Sequence, residues 1–241
     1  MQKVIYKFGM TSCIPFDLEK TMNVINIKKS YGKKEILKNI TFEAGSGECI
    51  GILGANGCGK STLLGILSGV VRPDGGEFVA DGVDLLKNRR ARSAVVGYVP
   101  QSSPLLEELS AKDNLRLWYR SEKLKSSLSD GVLSLLGIGE FLRTPVRNLS
   151  GGMKKRLAIG CAVASDPKIL ILDEPGAALD IVCRESIRQY LKKFRTEGGI
   201  VIIATHDTGE IAMCDRLYIL KNGSLVPCEF DGDVSRLARS L

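Results

Sequence analysis

The sequence predicts an α/β fold built on a parallel sheet, and three observations carry that prediction. Short apolar runs of strand length end in loops and alternate with segments of helical periodicity. Four of these runs carry their polar residues at the carboxyl end, where ligands collect in open parallel sheets. A glycine-rich loop stands between one of the runs and an apolar helix.

Taken in order, Met22-Asn23-Val24-Ile25 reads as a natural strand start and leaves residues 1–21 over. That extension is an accessory strand or an upstream start codon chosen in error, and the second is preferred. Residues 48–53 (ECIGIL) read as a buried strand, followed by glycines and then an apolar helix around residues 63–67. Residues 95–99 (VVGYV) form a second strand leading into Pro100-Gln101. Residues 169–172 (ILIL) are a third, closed by Asp173-Glu174-Pro175, and residues 200–205 (IVIIAT) a fourth, leading into His206-Asp207. Residues from about 103 to 165 hold little strand signal and several helical stretches, 128–136 among them, which predicts a helical insertion between two core strands. Ile187, Tyr190, Leu191 and Phe194 fall at i, i+3, i+4 and i+7, the spacing of a helix packed on a sheet. Residues 217–220, then Asn222-Gly223, then Leu225-Val226 read as a hairpin with a tight turn.

Composition narrows the class. The 241 residues suit one domain, or one domain with an insertion. With 44% hydrophobic and 25% charged residues, the chain is of ordinary globular composition and not disordered. No apolar run approaches the ~18 residues of a membrane-spanning helix. Lys3, Lys7, Asp17, Glu19 and Lys20 interrupt any secretory core near the amino terminus, so a cytosolic chain is expected. Thirty-four basic against 27 acidic residues give a net charge of +7, compatible with nucleic acid, with an anionic membrane surface, or with neither. Seven cysteines with no C-x-x-C spacing, and a single histidine, disfavour a structural zinc site. Most of the cysteines are expected to be small buried thiols in a reducing compartment.

Three segments carry chemistry. Gly54-Ala55-Asn56-Gly57-Cys58-Gly59-Lys60-Ser61 matches G-x-x-x-x-G-K-[ST] in full, between a strand and a helix. Its glycines let backbone N–H groups curl around an anionic oxygen; Lys60 reaches the β- and γ-phosphates, and the Ser61 hydroxyl can ligate Mg²⁺. No G-x-G-x-x-G occurs, so a dinucleotide fingerprint has no support. Asp173-Glu174 closes an apolar strand: one carboxylate can hold Mg²⁺ through water, and its neighbour, facing the other way, can accept a proton from an attacking water. Two acids in such a place can also do no more than solvate a loop end; the phosphate loop favours the chemical reading. Ser150-Gly151-Gly152 opens a helix whose Lys154-Lys155-Arg156 reads as a basic solvent face. Ser150 is a good N-cap and the glycines leave N–H groups open, making a second anion site. Alone, that segment reads as an ordinary capped helix.

Together these segments resemble the ATP-binding, nucleotide-binding-domain subunit of an ABC transporter, over residues from about 23 to 226. The resemblance implies a P-loop NTPase core of ABC type with a mixed sheet, an antiparallel β subdomain and a helical insertion subdomain. The ATPase domain is placed at residues 22–230, its helical part at about 103–165, and residues 231–241 are left as a tail. It implies that residues 54–62, Gly54 to Thr62, are the Walker A loop, that Gln101 is the Q-loop glutamine and that residues 149–153 are the signature motif. Residues 169–174 are then Walker B, residues 177–180 the D-loop and His206 the switch histidine, while adenine stacks on Tyr31.

The implied mechanism has two subunits sandwiching two ATP molecules head to tail, with Ser150, Gly151 and Gly152 of one facing the phosphate loop of the other. Glu174 is then the general base, oriented with the water and γ-phosphate by His206. Gln101 contacts Mg²⁺ or the water and reports to a transmembrane permease, and Ser61 and Asp173 serve the metal. A chain with every motif makes a homodimer the simpler expectation. The resemblance also implies peripheral association with the inner face of the cell membrane through the permease, with residues 105–108 as a docking edge, and no nucleic-acid partner.

Three residues depart from the family pattern. Met153 stands where glutamine is most common, a variant similar to the ATPases of export systems. Gly176 replaces the usual threonine or serine and is expected to loosen the dimer-interface turn. Cys58 occupies a variable loop position where a positive field would activate its thiol. Two other classes fit less well: a soluble ABC-type ATPase acting on nucleic acid or ribosomes, for which no coiled coil or second cassette is present, and a nucleotide sensor without turnover, against which Lys60, Asp173, Glu174 and His206 all argue.

Overall fold

The computed structural model describes residues 21–177, 179–233 and 239. The expectation for residues 1–20, and most of that for the tail, lies outside these residues, as do Cys13 and Ala178.

The central layer is a six-stranded mixed sheet. Its order runs β10 (Ser224–Cys228), β9 (Arg216–Lys221), β3 (Cys49–Leu53), β8 (Ile200–Ala204), β7 (Ile169–Asp173), β6 (Val96–Val99). All neighbouring pairs are parallel except β9 with β10. Parallel strands covered on both faces need apolar side chains at every position, which is why these read as unbroken hydrophobic runs. Successive residues then alternate between two cores. Ile50, Ile52, Ile169, Ile171, Ile200 and Ile202 enter the cluster that contains helix α1 (Lys60–Ser68). Leu170, Leu172, Val201 and Ile203 enter the opposite one, with α6 (Gly151–Ala162) and α7 (Ile181–Thr196).

A second, antiparallel sheet of order β2 (Lys34–Ala44), β1 (Met22–Tyr31), β4 (Gly75–Ala80), β5 (Val83–Asp84) packs on the α1 side. The expected strand start at Met22 and the hairpin are both present. The hairpin turn Asn222-Gly223 has φ of 53° and 80°, the doubly left-handed turn that matches strand twist.

The expected core strands differ by single residues at their ends. Val95 is the last residue of α2 (Arg89–Val95), and its predicted strand begins at Val96. Between β6 and β7 lie only helices: α3 (Ala111–Arg116), α4 (Ser121–Ser129), α5 (Val132–Leu135), α6, and short 3₁₀ turns at Ile138–Phe141 and Val146–Asn148. The helical stretch expected over residues 128–136 is instead two helices, broken at Asp130-Gly131. A Cβ on Gly131 would stand 2.7 Å from the Ser127 Cα, so the chain turns tightly against the end of α4.

Within the insertion, buried Asn114 ties residues 106 and 110 to α3. Its Nδ2 donates to the Leu106 and Ser110 carbonyls at 3.0 and 3.1 Å, and its Oδ1 accepts from the Leu106 N–H at 2.9 Å. Helix α7 carries the predicted stripe: Ile187, Tyr190, Leu191 and Phe194 are buried, and Asp180 caps it by accepting from Cys183 N–H at 2.8 Å. Six cysteines lie among the described residues. Only Cys49 and Cys183 are fully buried; the other four are partly buried.

Candidate active site

The site collects at the carboxyl ends of β3, β7, β6 and β8. Residues 54–62 leave β3 and enter α1, and the turn depends on two glycines. Gly54 has φ 149°, and a Cβ there would stand 2.6 Å from the Leu220 carbonyl; Gly59, with φ 115°, caps α1 with Ile36 Cγ2 only 2.8 Å from its Cβ position. Lys60 is 6% exposed and donates from Nζ to the Gly54 and Ala55 carbonyls at 2.6 and 3.3 Å. The ammonium is thus folded back over the loop, close to where anionic oxygens would sit. A cleft of about 460 Å³ opens over the loop, lined by Tyr31, Asn56, Gly57, Gly59, Lys60, Ser61, Thr62, Gln101 and Glu174, with Ile36 at its wall.

The two carboxylates ending β7 diverge as expected. Asp173 is 2% exposed, with the Ser61 hydroxyl beside it. Burial pushes its carboxyl up, offset in part by Ser61, Lys60 and Lys155, while Glu174 adds to the rise. Glu174 takes φ 48°, a left-handed conformation costly for a residue with a Cβ, and its N–H bonds the Ala204 carbonyl at 2.8 Å. That turn puts the carboxylate in the cleft, where its Oε2 accepts from Gln101 Nε2 at 3.0 Å. His206 Nε2 stands 3.8 Å from Glu174 Oε1, adjacent but beyond hydrogen-bond distance.

Tyr31 ends β1 at the cleft mouth, 52% exposed, with Lys29 Nζ 5.3 Å from its ring centroid. Ser150, Gly151 and Gly152 do not line the cleft. Ser150 caps α6 by accepting from Met153 N–H at 3.2 Å, and Gly151 has nothing within 4 Å of its Cβ position, leaving that helix start open. Neither Gly54 nor Cys58 lines the cleft: the Cys58 thiol sits 2.7 Å from the Gly54 Cβ position and packs on the α1 core. The thiol whose activation was expected from sequence is partly buried beside that core.

Several contributors were not singled out from sequence. Lys155, expected on a solvent face, is 5% exposed and donates to the carbonyls of Pro100 and Gln101 at 3.1 and 3.0 Å. Asp207, next to His206, is gripped by Arg184 at 3.0 Å and Arg188 at 2.6 Å, both from α7, and caps the short helix α8 (Thr208–Ile211). Burial alone would raise the Asp207 carboxyl; Arg188, the Glu210 N–H and Arg184 outweigh it and hold it below the ordinary range. Behind this loop Glu210 is 2% exposed, accepts from the Thr205 hydroxyl, and is pushed by burial to about 7. Gly176 faces it: a Cβ would stand 2.4 Å from Glu210 Oε1. The expected loosening at Gly176 is thus a close approach, with the glutamate filling the space beside the turn. An i, i+4 arginine pair on a helix that carries a stripe was the one signal in sequence for the α7 clamp.

Comparison with known proteins decides the family. The family model described as "ABC transporter" matches residues 37–177. The chain belongs to the ABC transporter family. It is 36% identical over 206 residues to the linearmycin resistance ATP-binding protein LnrL of Bacillus subtilis (strain 168), covering 83% of this chain and 66% of that protein. It is 35% identical over 207 residues to the Nod factor export ATP-binding protein I of Sinorhizobium fredii, covering 84% of this chain and 60% of that protein. The chain thus spans somewhat under two thirds of the length of these two relatives. Among solved structures, the dimeric post-hydrolysis state of the ATP-binding cassette MJ0796, bound to ADP and Pi, is 30% identical with a TM-score of 0.76. The alignment covers 88% of this ABC chain and all of that cassette. The α/β cassette fold with its mixed and antiparallel sheets is therefore the ABC fold.

Proposed function

We propose that this ABC chain binds and hydrolyses ATP with Mg²⁺ and drives transport, in the export direction, through a separate transmembrane permease. The observation that carries the reading is the divergence of Asp173 and Glu174 at the end of β7. One carboxylate is buried on the Ser61 hydroxyl at the foot of the phosphate loop, and the other stands in the cleft beside Gln101 and His206. A hydroxyl and a buried carboxylate side by side, with the Gln101 amide nearby, are the hard oxygen donors that Mg²⁺ takes. When bound, the ion neutralises developing charge on the phosphates and fixes their orientation.

The protein groups divide the remaining work. Lys60 releases the loop carbonyls and pairs with the β- and γ-phosphate oxygens, while the loop N–H groups donate to the anionic oxygens. Tyr31 offers an exposed ring to the base. Glu174 accepts a proton from the attacking water, and His206 and Gln101 hold that carboxylate and water in line. In a head-to-tail pair, the open start of α6 in one copy faces the cleft of the other, so Ser150, Gly151 and Gly152 complete the site. The dimeric MJ0796 cassette supports this arrangement.

Export is supported by the printed name of the Nod factor export protein and by Met153. The domain is placed at residues 22–230 with its helical part at about 103–165. Leu106, Leu109, Leu117 and Trp118 are exposed apolar side chains in that part, Leu106 within the proposed docking edge at residues 105–108. No helix among the described residues is long and apolar enough to cross a membrane, and a peripheral position at the inner face through the permease follows from the reading.

The test is phosphate release by the purified chain with ATP, with Mg²⁺ and with chelator. The parent is expected to turn over only with Mg²⁺, and Glu174→Gln to lose about 100-fold or more in kcat. Undiminished turnover in the chelator, or in Glu174→Gln, would contradict the assignment.

A further inference from the structure

Lys155 occupies a position that the helix periodicity reserves for an apolar side chain. Gly152, Lys155 and Ile159 form one buried stripe of α6, and the ammonium at its centre is 5% exposed. A buried cation is expensive unless it is fully paired. Burial pulls this one below the ordinary lysine range, and the charges of Asp173, Glu174 and Glu210 hold it up in part. The partners on the other side are two main-chain carbonyls, Pro100 at 3.1 Å and Gln101 at 3.0 Å, at the point where β6 ends. Here the chain has left its strand ladder, and proline brings no N–H, so the segment has little backbone bonding of its own.

We propose that Lys155 is a positioning residue that pins Gln101 to helix α6, and so sets the place of the Gln101 amide on the Glu174 carboxylate. Gln101 is held at both ends: its carbonyl accepts from Lys155, and its Nε2 donates to Glu174 Oε2 at 3.0 Å. Helix α6 is capped by Ser150, five residues before Lys155 and about one turn and a half along the same rigid element. Any displacement of the α6 start when it meets a nucleotide is therefore carried to Gln101 through one buried side chain. A chain of two bonds then joins the signature segment to the general base within a single subunit. The inference rests on the ATPase reading above.

The experiment is a double-mutant cycle on the full chain, with steady-state ATPase rates for the parent, Lys155→Met, Gln101→Ala and the pair. Methionine nearly matches the lysine stem but donates nothing. Loss of two charge-assisted bonds at the Gln101 joint is expected to lower kcat by about tenfold or more, with KM for ATP within about threefold. In the Gln101→Ala background the same change is expected to cost less than about threefold, because the group through which Lys155 acts is gone. Lys155→Gln restores neutral donors and is expected to stay within about threefold of the parent. An equal loss from Lys155→Met in both backgrounds, or no loss in the parent background, overturns the proposal. So does a tenfold loss in Lys155→Gln, which decides the matter even if the methionine variant does not fold. An inactive parent chain would instead count against the ATPase reading itself.

Discussion

Glu210→Gln isolates one buried carboxyl whose ionisation the fold opposes. Glu210 is 2% exposed, one of its oxygens accepts from Thr205, and the other lies against the Gly176 turn. Burial is the largest influence and the Asp207 charge adds to it, while Thr205, Arg188 and Arg184 work the other way; the result is a carboxyl moved from 4.5 to about 7. The folded chain therefore holds a proton that the unfolded chain releases between those values. Its contribution to stability is fully present below pH 4.5 and is lost as pH rises through about 7. At ~1.4 kcal/mol per pH unit, the interval corresponds to about 3 kcal/mol as an order of magnitude. Glutamine keeps an oxygen for Thr205 and never ionises.

Urea unfolding of parent and variant across pH 4.5 to 8 is the assay, and the difference between them removes every other titrating group. The stability of Glu210→Gln relative to the parent is expected to climb by about 2–3 kcal/mol over that range and to level off above it. A difference flat with pH, or a variant that loses ground as pH rises, would refute the reasoning.

Other consequences follow from the same geometry. Arg188→Ala leaves Asp207 with Arg184 alone and is expected to cost about 1–2 kcal/mol of unfolding free energy; a loss below ~0.5 kcal/mol would mean the clamp is not made. Gly176→Thr drives a side chain into the Glu210 carboxyl and should cost about 1–3 kcal/mol, relieved in a Glu210→Ala background; equal losses in both backgrounds would exclude the clash. Lys60→Ala should weaken ATP binding about tenfold or more by calorimetry while leaving the unfolding midpoint near that of the parent. Unchanged affinity would remove Lys60 from the phosphates.

Local rules made much of this molecule legible in sequence. Residues 169–173 and 200–204 could be placed because a strand buried on both faces must be apolar throughout, and the α7 stripe because one face of a helix must be. The phosphate loop was legible because its chemistry is contiguous: eight successive residues carry the turn, the amine and the hydroxyl. What sequence hid depends on contacts across the fold. Lys155 belongs to a basic run and looks solvated until the end of β6 is found above it. The grip of Arg184 and Arg188 on Asp207 joins residues 19 and 23 positions apart. Gly176 looked like a loosened turn because the glutamate that fills its space is 34 positions away. The break at Asp130-Gly131 is different: an Asp-Gly pair is a local stop signal that the apolar residues on either side outweighed.

In the proposed mechanism ATP closes two copies of this chain around their paired sites, and Glu174 acts after closure. Sedimentation of purified Glu174→Gln with and without ATP and Mg²⁺ tests it most directly. The expected result is a monomer that becomes a dimer only when ATP is added. A protein that binds ATP and remains monomeric would contradict it.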